Sequence, residues 1–311
     1  MKQHSAEYLA WYKLLYVKGL TTAARKCIYK AICEKKITIE ELFVISEYEF
    51  YEFFPLFGTG EFSNLKYENF QATHTKEVQK RFEHLWEDTF FIPLNHPSYP
   101  QRIKQRLGAA APPAFFGRGH LPLVNNRNIA VLGSDEANSE EIKLTWRLCT
   151  HFARCGYNVL SNHSWGISEH AHKSALIADG TITSILATGF YDFWVRNAIQ
   201  MHGYEINSFF LSAVLPEEIS SIQKYEERSK QIAAWSEAVV VVKSNFFKDQ
   251  KTDAHGNIAA AYFALENNIP VFLPSKKALS TCSSGNFEIS NAGAIDFNHP
   301  KEITSFLKRH Y

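Results

Sequence analysis

Residues 128–160, NIAVLGSDEANSEEIKLTWRLCTHFARCGYNVL, decide the fold. The stretch opens with an uninterrupted apolar run (129–132), bends at Gly133-Ser134, passes through a helix-length segment and returns to an apolar run (157–160). Asn138 with Glu141 three residues on reads as a helix-capping pair, and Gly156 follows the last turn. Strands that are apolar throughout, rather than at alternate positions, are buried on both faces; interleaved with helices they imply a parallel sheet. Further short apolar runs recur at 181–187, 209–214, 238–242, 271–273 and 294–297, most of them one helix length apart. Ser168 is placed to cap the helix that ends at Gly180. Residues 128–311 therefore read as an α/β, Rossmann-like doubly wound domain with a mainly parallel sheet.

Upstream the punctuation changes. Pro93, Pro97, Pro100, Pro112 and Pro113 crowd into about twenty positions, and proline blocks long helices. Residues 91–127 are expected as an extended linker. Residues 1–90 have helical periodicity: Tyr8, Leu9, Trp11, Tyr12, Leu15 and Tyr16 repeat at helical spacing, and Gly19 stands where that helix would stop. Thr21 or Thr22 caps a second helix through Cys33, Thr38 a third through Leu42 and Val44, and a last helix is expected from Lys76 to Trp86. This reads as a small all-helical N-terminal domain.

Composition narrows the function. With 311 residues, 33 Lys+Arg against 32 Asp+Glu and 45% hydrophobic residues, the chain is an ordinary globular protein with room for about two domains. A net charge of +1 excludes a general polycation, so a nucleic-acid surface would have to be local. No apolar run reaches the ~18 residues of a membrane span, and the N-terminus does not read as a signal peptide. The five cysteines are odd in number with no C-x-x-C, so a reducing, cytoplasmic location is expected.

In a doubly wound sheet, ligands bind beyond the carboxyl ends of the strands. The first such loop, GSDEANS, lacks G-x-G-x-x-G, which argues against NAD or FAD. Its Gly-Ser is either a tight turn into the helix or a phosphate site, with Asp135 and Glu136 opposing the latter. The second, SNHSWGISEHAH, carries His163, His170 and His172. In a helix, positions 170 and 172 point to different faces, which disfavours a metal site. Trp165 is either a stacking platform for a base or a core residue. Arg228 and Lys230 either reach a phosphate backbone or pair with Glu226 and Glu227 on a solvated face. No nucleophile elbow, zinc-protease motif or P-loop is present, and no acid/base pair stands out, so neither catalytic residues nor a cofactor is assigned.

The ordered series of short motifs over 91–297 resembles the DprA/Smf family of DNA-processing proteins. It runs from His96-Pro97-Ser98-Tyr99-Pro100 through Ala111-Pro112-Pro113, Gly117-Arg118-Gly119 and Ile129-Ala130-Val131-Leu132-Gly133-Ser134. Ser161, Gly166, Ile167, Ala171-His172 and Ala175-Leu176 fall on the family's S-G-x-A-x-G-I-D-x-x-A-H signature, and Gly180-Thr181-Ile182 and Gly189 follow. Arg228, Lys230, Ile232, Ala233 and Ser236 match its arginine segment; Gly256, Ala264-Leu265-Glu266, Val271-Phe272, Pro274, Gly285-Asn286 and Gly293-Ala294 complete the series. The helical region before residue 90 is similar to the SAM/helix-hairpin-helix-like domain of many members; the winged-helix domain found at the C-terminus of some is expected to be missing.

The resemblance implies a non-catalytic homodimer that binds single-stranded DNA and loads the RecA recombinase in transformation or recombination. The DNA- or phosphate-contacting residues it implies are Gly133, Ser134, Ser161, Trp165, Gly166, His172, Gly189, Arg228, Lys230, Lys243 and Asn286. The departures fall on the same pocket: Asp135 and Trp165 replace arginines, Ser168 an aspartate, Asn162 a glycine and Ser229 an asparagine, and Glu226 and Glu227 displace basic residues. Competing readings are a Rossmann module that senses a nucleotide or nucleotide-derived signal, a degenerate protein-interaction partner, and a nucleosidase or phosphoribohydrolase.

Overall fold

The computed structural model describes residues 6–85, 89–197, 206–245, 253–280 and 283–310. The chain divides into two compact units: Met1–Tyr99 with Leu107–Phe115, and Pro100–Arg106 with Phe116–Tyr311.

The first unit holds α1 (Ala6–Leu14), α2 (Thr22–Cys33), α3 (Glu47–Phe53), α4 (Tyr67–Gln71), α5 (Lys76–Glu83) and β1 (Phe90–Pro93). Thr21 is the cap of α2, its hydroxyl accepting from the Ala24 amide. The third helix expected from Thr38 shrinks to one 3-10 turn, Glu41–Phe43, because Ser46 and Glu49 form a capping box that starts α3 almost at once. The core is aromatic. The Phe50 ring lies 5.0–5.9 Å from those of Phe54, Phe57, Tyr67 and Phe70. The last helix stops at Glu83, and Trp86 lies outside the described residues.

The chain continues through α6 (Gln101–Leu107), β2 (Ala114–Gly119), β3 (Asn128–Gly133), α7 (Ser139–Arg154), β4 (Asn158–Asn162), α8 (Ile167–Ile177) and β5 (Ile182–Leu186). There follow α9 (Phe190–Asn197), β6 (Ser208–Ser212), α10 (Ile222–Trp235), β7 (Ala238–Lys243), α11 (Asp253–Glu266), β8 (Val271–Pro274), α12 (Ser284–Asn291), β9 (Ile295–Phe297) and α13 (Pro300–His310). Residues 91–127 are thus no simple extended connection, since they carry two strands and a helix. Of the five prolines, Pro93 closes β1, Pro100 precedes α6 and Pro112-Pro113 precede β2, where a missing N–H interrupts no ladder, and Pro97 lies in the turn between β1 and α6.

Among the described residues the strands form one sheet in the order β1-β2-β6-β5-β4-β3-β7-β8-β9. From β6 to β9 every pairing is parallel, while β2 runs antiparallel to β6 with Phe116 opposite Ser212. Strand β3 has β4 on one side and β7 on the other, Ile129 pairing with both Val159 and Ala238. On one face, Leu144, Leu148 and Phe152 of α7, Ala171 of α8, and Ile303 and Leu307 of α13 share a core with Val131, Val159 and Val240. Helices α10 and α11 pack against each other and against β3, α10 also covering β4 and β5 and α11 also covering β7 and β8. The chain leaves β3 toward β4 and leaves β7 toward β8, in opposite directions, so the crevice beyond the carboxyl ends of β3 and β7 is the topological switch point.

The amino edge is clamped. Glu237, 2% exposed, receives two hydrogen bonds from Arg127 Nε (3.0 and 3.1 Å), one from Arg127 Nη2 (2.8 Å) and one from Arg102 Nη2 (3.0 Å). Arg106 donates to the carbonyls of Ala234 (2.9 Å) and Ser236 (2.6 Å) at the end of α10.

Candidate functional site

The rim is built on two loops pressed together backbone to backbone. After β3 the chain turns at Gly133-Ser134, where the Ser134 hydroxyl accepts from the Glu136 amide (3.2 Å). The Asn138/Glu141 capping box then starts α7 as expected. After β4, Gly166 adopts φ +66° and ψ −120° as the N-cap of α8. A Cβ there would stand 2.4 Å from the Asp135 carbonyl oxygen and 2.5 Å from that of Ser134, and one on Gly133 would lie 2.5 Å from Ile167 Cγ1. The Ile167 amide donates to the Ser134 carbonyl at 3.2 Å. Both glycines are required for this approach.

Ser168 is no cap: it lies inside α8 and is fully buried. Its hydroxyl bonds the Asn162 side chain and lies 2.9 Å from the Ser161 hydroxyl, which donates to the Val131 carbonyl at 2.6 Å. Ser161 is therefore spent on tying β4 to β3 and α8. The same loop displays Trp165 to solvent, 66% exposed, which removes the reading of Trp165 as a core residue.

His172 is buried, with its ring 6.4 Å from that of His163, which in turn packs edge-on against Phe193 at 4.8 Å. Burial and the neighbouring His163 push the His172 imidazole down to about 3, and a hydrogen bond to the Thr183 backbone opposes them. It is a neutral histidine inside the unit. Among the described residues no group of three or more His, Cys, Asp or Glu is arranged to hold a metal ion, and no helix is long and apolar enough to cross a membrane.

Gly189 seats the β5–α9 turn against the β6–α10 loop; a Cβ would come within 2.2 Å of the Leu215 carbonyl oxygen. Lys243, at the end of β7, directs Nζ to the Glu136 carbonyl (3.1 Å) and the buried Glu141 carboxylate (3.3 Å), and so pins the β3–α7 loop. Asn286 joins α12 to the end of β7, accepting from the Ser244 amide (2.8 Å) and donating to the Val242 carbonyl (3.1 Å).

The two basic candidates on α10 diverge. Arg228 is buried beside α11, its guanidinium 5.2 Å from the Tyr225 ring centre, and Lys230 is exposed. At 1.5 Å per residue they stand roughly 9 and 12 Å from the start of the helix, down its flank from the rim. The structure thus gathers Gly133, Ser134, Trp165, Gly166, Lys243 and Asn286 around the switch point. It commits Ser161, His172 and Gly189 to internal packing, and it separates Arg228 from Lys230.

Three residues escaped the sequence reading. Ser244 is the buried backbone anchor for Ser283, Gly285 and Asn286. Tyr225, one turn before Arg228, supplies its stacking partner, an i, i+3 spacing that could have flagged it. Phe287, 60% exposed, follows Asn286 and carries no sequence signal that separates it from core aromatics.

The family model for DNA recombination-mediator protein A matches residues 90–308. DNA processing protein DprA of Bacillus subtilis is 25% identical over 207 residues, covering 65% of this chain and 66% of that protein. Protein Smf of Escherichia coli is 26% identical over 220 residues, covering 70% of this chain and 56% of that one. The matched stretch spans less than two thirds of these curated relatives. Among solved structures, DNA processing protein A of Streptococcus pneumoniae aligns with a TM-score of 0.75 at 18% identity over 97% of both chains. DNA processing protein A of Helicobacter pylori, solved for its single-stranded DNA binding mode, aligns with a TM-score of 0.55 at 17% identity, over 65% of this chain and 89% of that one. At these identities the structural likeness establishes the fold.

Proposed function

The chain belongs to the DNA recombination-mediator protein A family, and on that premise we propose that it binds single-stranded DNA at the β3/β7 switch point and acts in DNA processing. The observation that carries the reading is the rim itself. Two glycine-locked loops hold Ser134 and the exposed Trp165 over the crevice where this class of sheet takes its ligands. The role proposed is binding rather than catalysis. On the same premise the protein works in the cytoplasm as a homodimer and hands its strand to a RecA-type recombinase. Sedimentation tests the dimer. Recombinase filament assembly on strands precoated with single-strand-binding protein tests the hand-over.

The direct test is fluorescence anisotropy of a labelled poly-dT oligomer at low salt. Saturable binding at or below tens of micromolar supports the reading, and its absence refutes it. A second reading, a sensor for a small nucleotide, draws on the Lys243–Glu141 pair, which engages a cation that a phosphate track would use. Saturable thermal stabilisation by one mononucleotide, with no oligomer binding, would decide for it.

A further inference from the structure

We infer that nucleobase faces, rather than phosphates, carry most of the binding free energy at this rim, with the Trp165 indole as the platform. The inference rests on the single-strand reading above and specifies the ligand chemistry of that site.

Among the described residues the exposed cations that follow the β3–α7 loop, Lys143 and Arg147, lie along α7, after the exposed Asp135, Glu136 and Glu140, and the other basic groups near the β3–α7 and β4–α8 loops are engaged or stand away from them. Lys243 is engaged by Glu136 and Glu141, and Arg228 is buried beside Tyr225. Lys230 stands down the flank of α10, and Lys173 pairs with Glu169 on α8. The exposed lysines at 276 and 277 follow β8, three strands from β4 in the sheet order. Asp135 and Glu136 are exposed in the loop against which Gly166 packs, so a phosphate brought to Ser134 meets carboxylates. What the rim does offer is an exposed indole on a backbone fixed by the Gly166 approach and the Ile167–Ser134 hydrogen bond. A stacking surface held this way loses little conformational freedom when a base covers it, and stacking accepts any base.

The test compares a dT oligomer with an abasic oligomer of equal length, using the full chain and its Trp165→Ala and Trp165→Phe variants. Loss of one stacked base corresponds to roughly a 5- to 150-fold drop in affinity. Support requires Trp165→Ala to weaken dT binding at least fivefold, Trp165→Phe to restore most of it, and the abasic oligomer to bind both variants alike. It also requires wild-type affinity to fall less than about tenfold between 50 and 200 mM salt, because three or more phosphate contacts would exceed that. A loss below fivefold, an equal loss on the abasic oligomer, or a steeper salt dependence overturns the inference while leaving the DNA reading intact. Failure of the wild-type chain to bind dT overturns the DNA reading itself.

Discussion

Replacing Gly166 with alanine tests how the rim is held. The added Cβ meets two carbonyl oxygens at 2.4 and 2.5 Å, where ordinary contact begins at 3.4 Å. Those atoms belong to the backbone of the β3–α7 loop, so no side-chain rotation relieves them. The residue must also keep φ +66°, which costs a residue with a Cβ about 1–3 kcal/mol. Overpacking adds about 1–3 kcal/mol. Taking about 3 kcal/mol together, the unfolding equilibrium shifts more than about 100-fold. Gly133→Ala is the internal comparison. Its backbone is ordinary and its clash is with the Ile167 side chain, so only the overpacking cost applies. Urea unfolding should rank Gly166→Ala below Gly133→Ala, and both below wild type. Hydrogen exchange should quicken in peptides covering 129–145 and 158–177. An unchanged midpoint for Gly166→Ala, or the reverse ranking, would refute this account of the rim.

Other outcomes follow from the same geometry. His172, held near 3 by burial and His163, stays neutral where the unfolded chain takes up a proton. Stability should therefore be full above pH 6.5 and fall toward pH 3, losing about 2 kcal/mol by pH 5; His172→Gln should flatten that slope, and an unchanged slope contradicts the assignment. Glu237→Gln removes a buried carboxylate from two arginines and should cost about 2 kcal/mol in urea unfolding; a cost below about 0.5 kcal/mol would be inconsistent with the clamp. Lys243→Met should lower stability by about 1–2 kcal/mol, leaving Glu141 without its cation, and should change dT affinity less than twofold. Asp135→Arg should raise dT affinity at low salt and steepen its salt dependence, a gain that 0.5 M salt should erase.

Much of the fold was legible because burial on both faces makes a parallel strand read as a continuous apolar run. The runs at 129–132 and 238–242 fall within β3 and β7 for that reason. Strands β1 and β2 were hidden because the surrounding prolines look alike whether they interrupt an element or bound it. The site was legible at the level of loops and not of side chains. Gly133 and Gly166 announce a close approach, but whether Lys243 faces solvent or Glu141 depends on a carboxylate 102 positions away. The burial of Arg228 depends on α11 packing against α10, a contact that no local pattern encodes.

The antiparallel pairing of β2 with β6 also constrains how the protein is made. Residues 116–119 reach the ribosomal exit long before 209–212, their partners in the finished sheet, about ninety positions later. At the usual elongation rate of about 5–20 residues per second, the earlier strand waits roughly 5–20 s for its neighbour. During that interval Phe116, wholly buried in the native protein and opposite Ser212 in the sheet, has no β6 beside it. Synthesis speed between these two segments, and any chaperone that attends the nascent chain there, thus bears directly on the yield of folded protein.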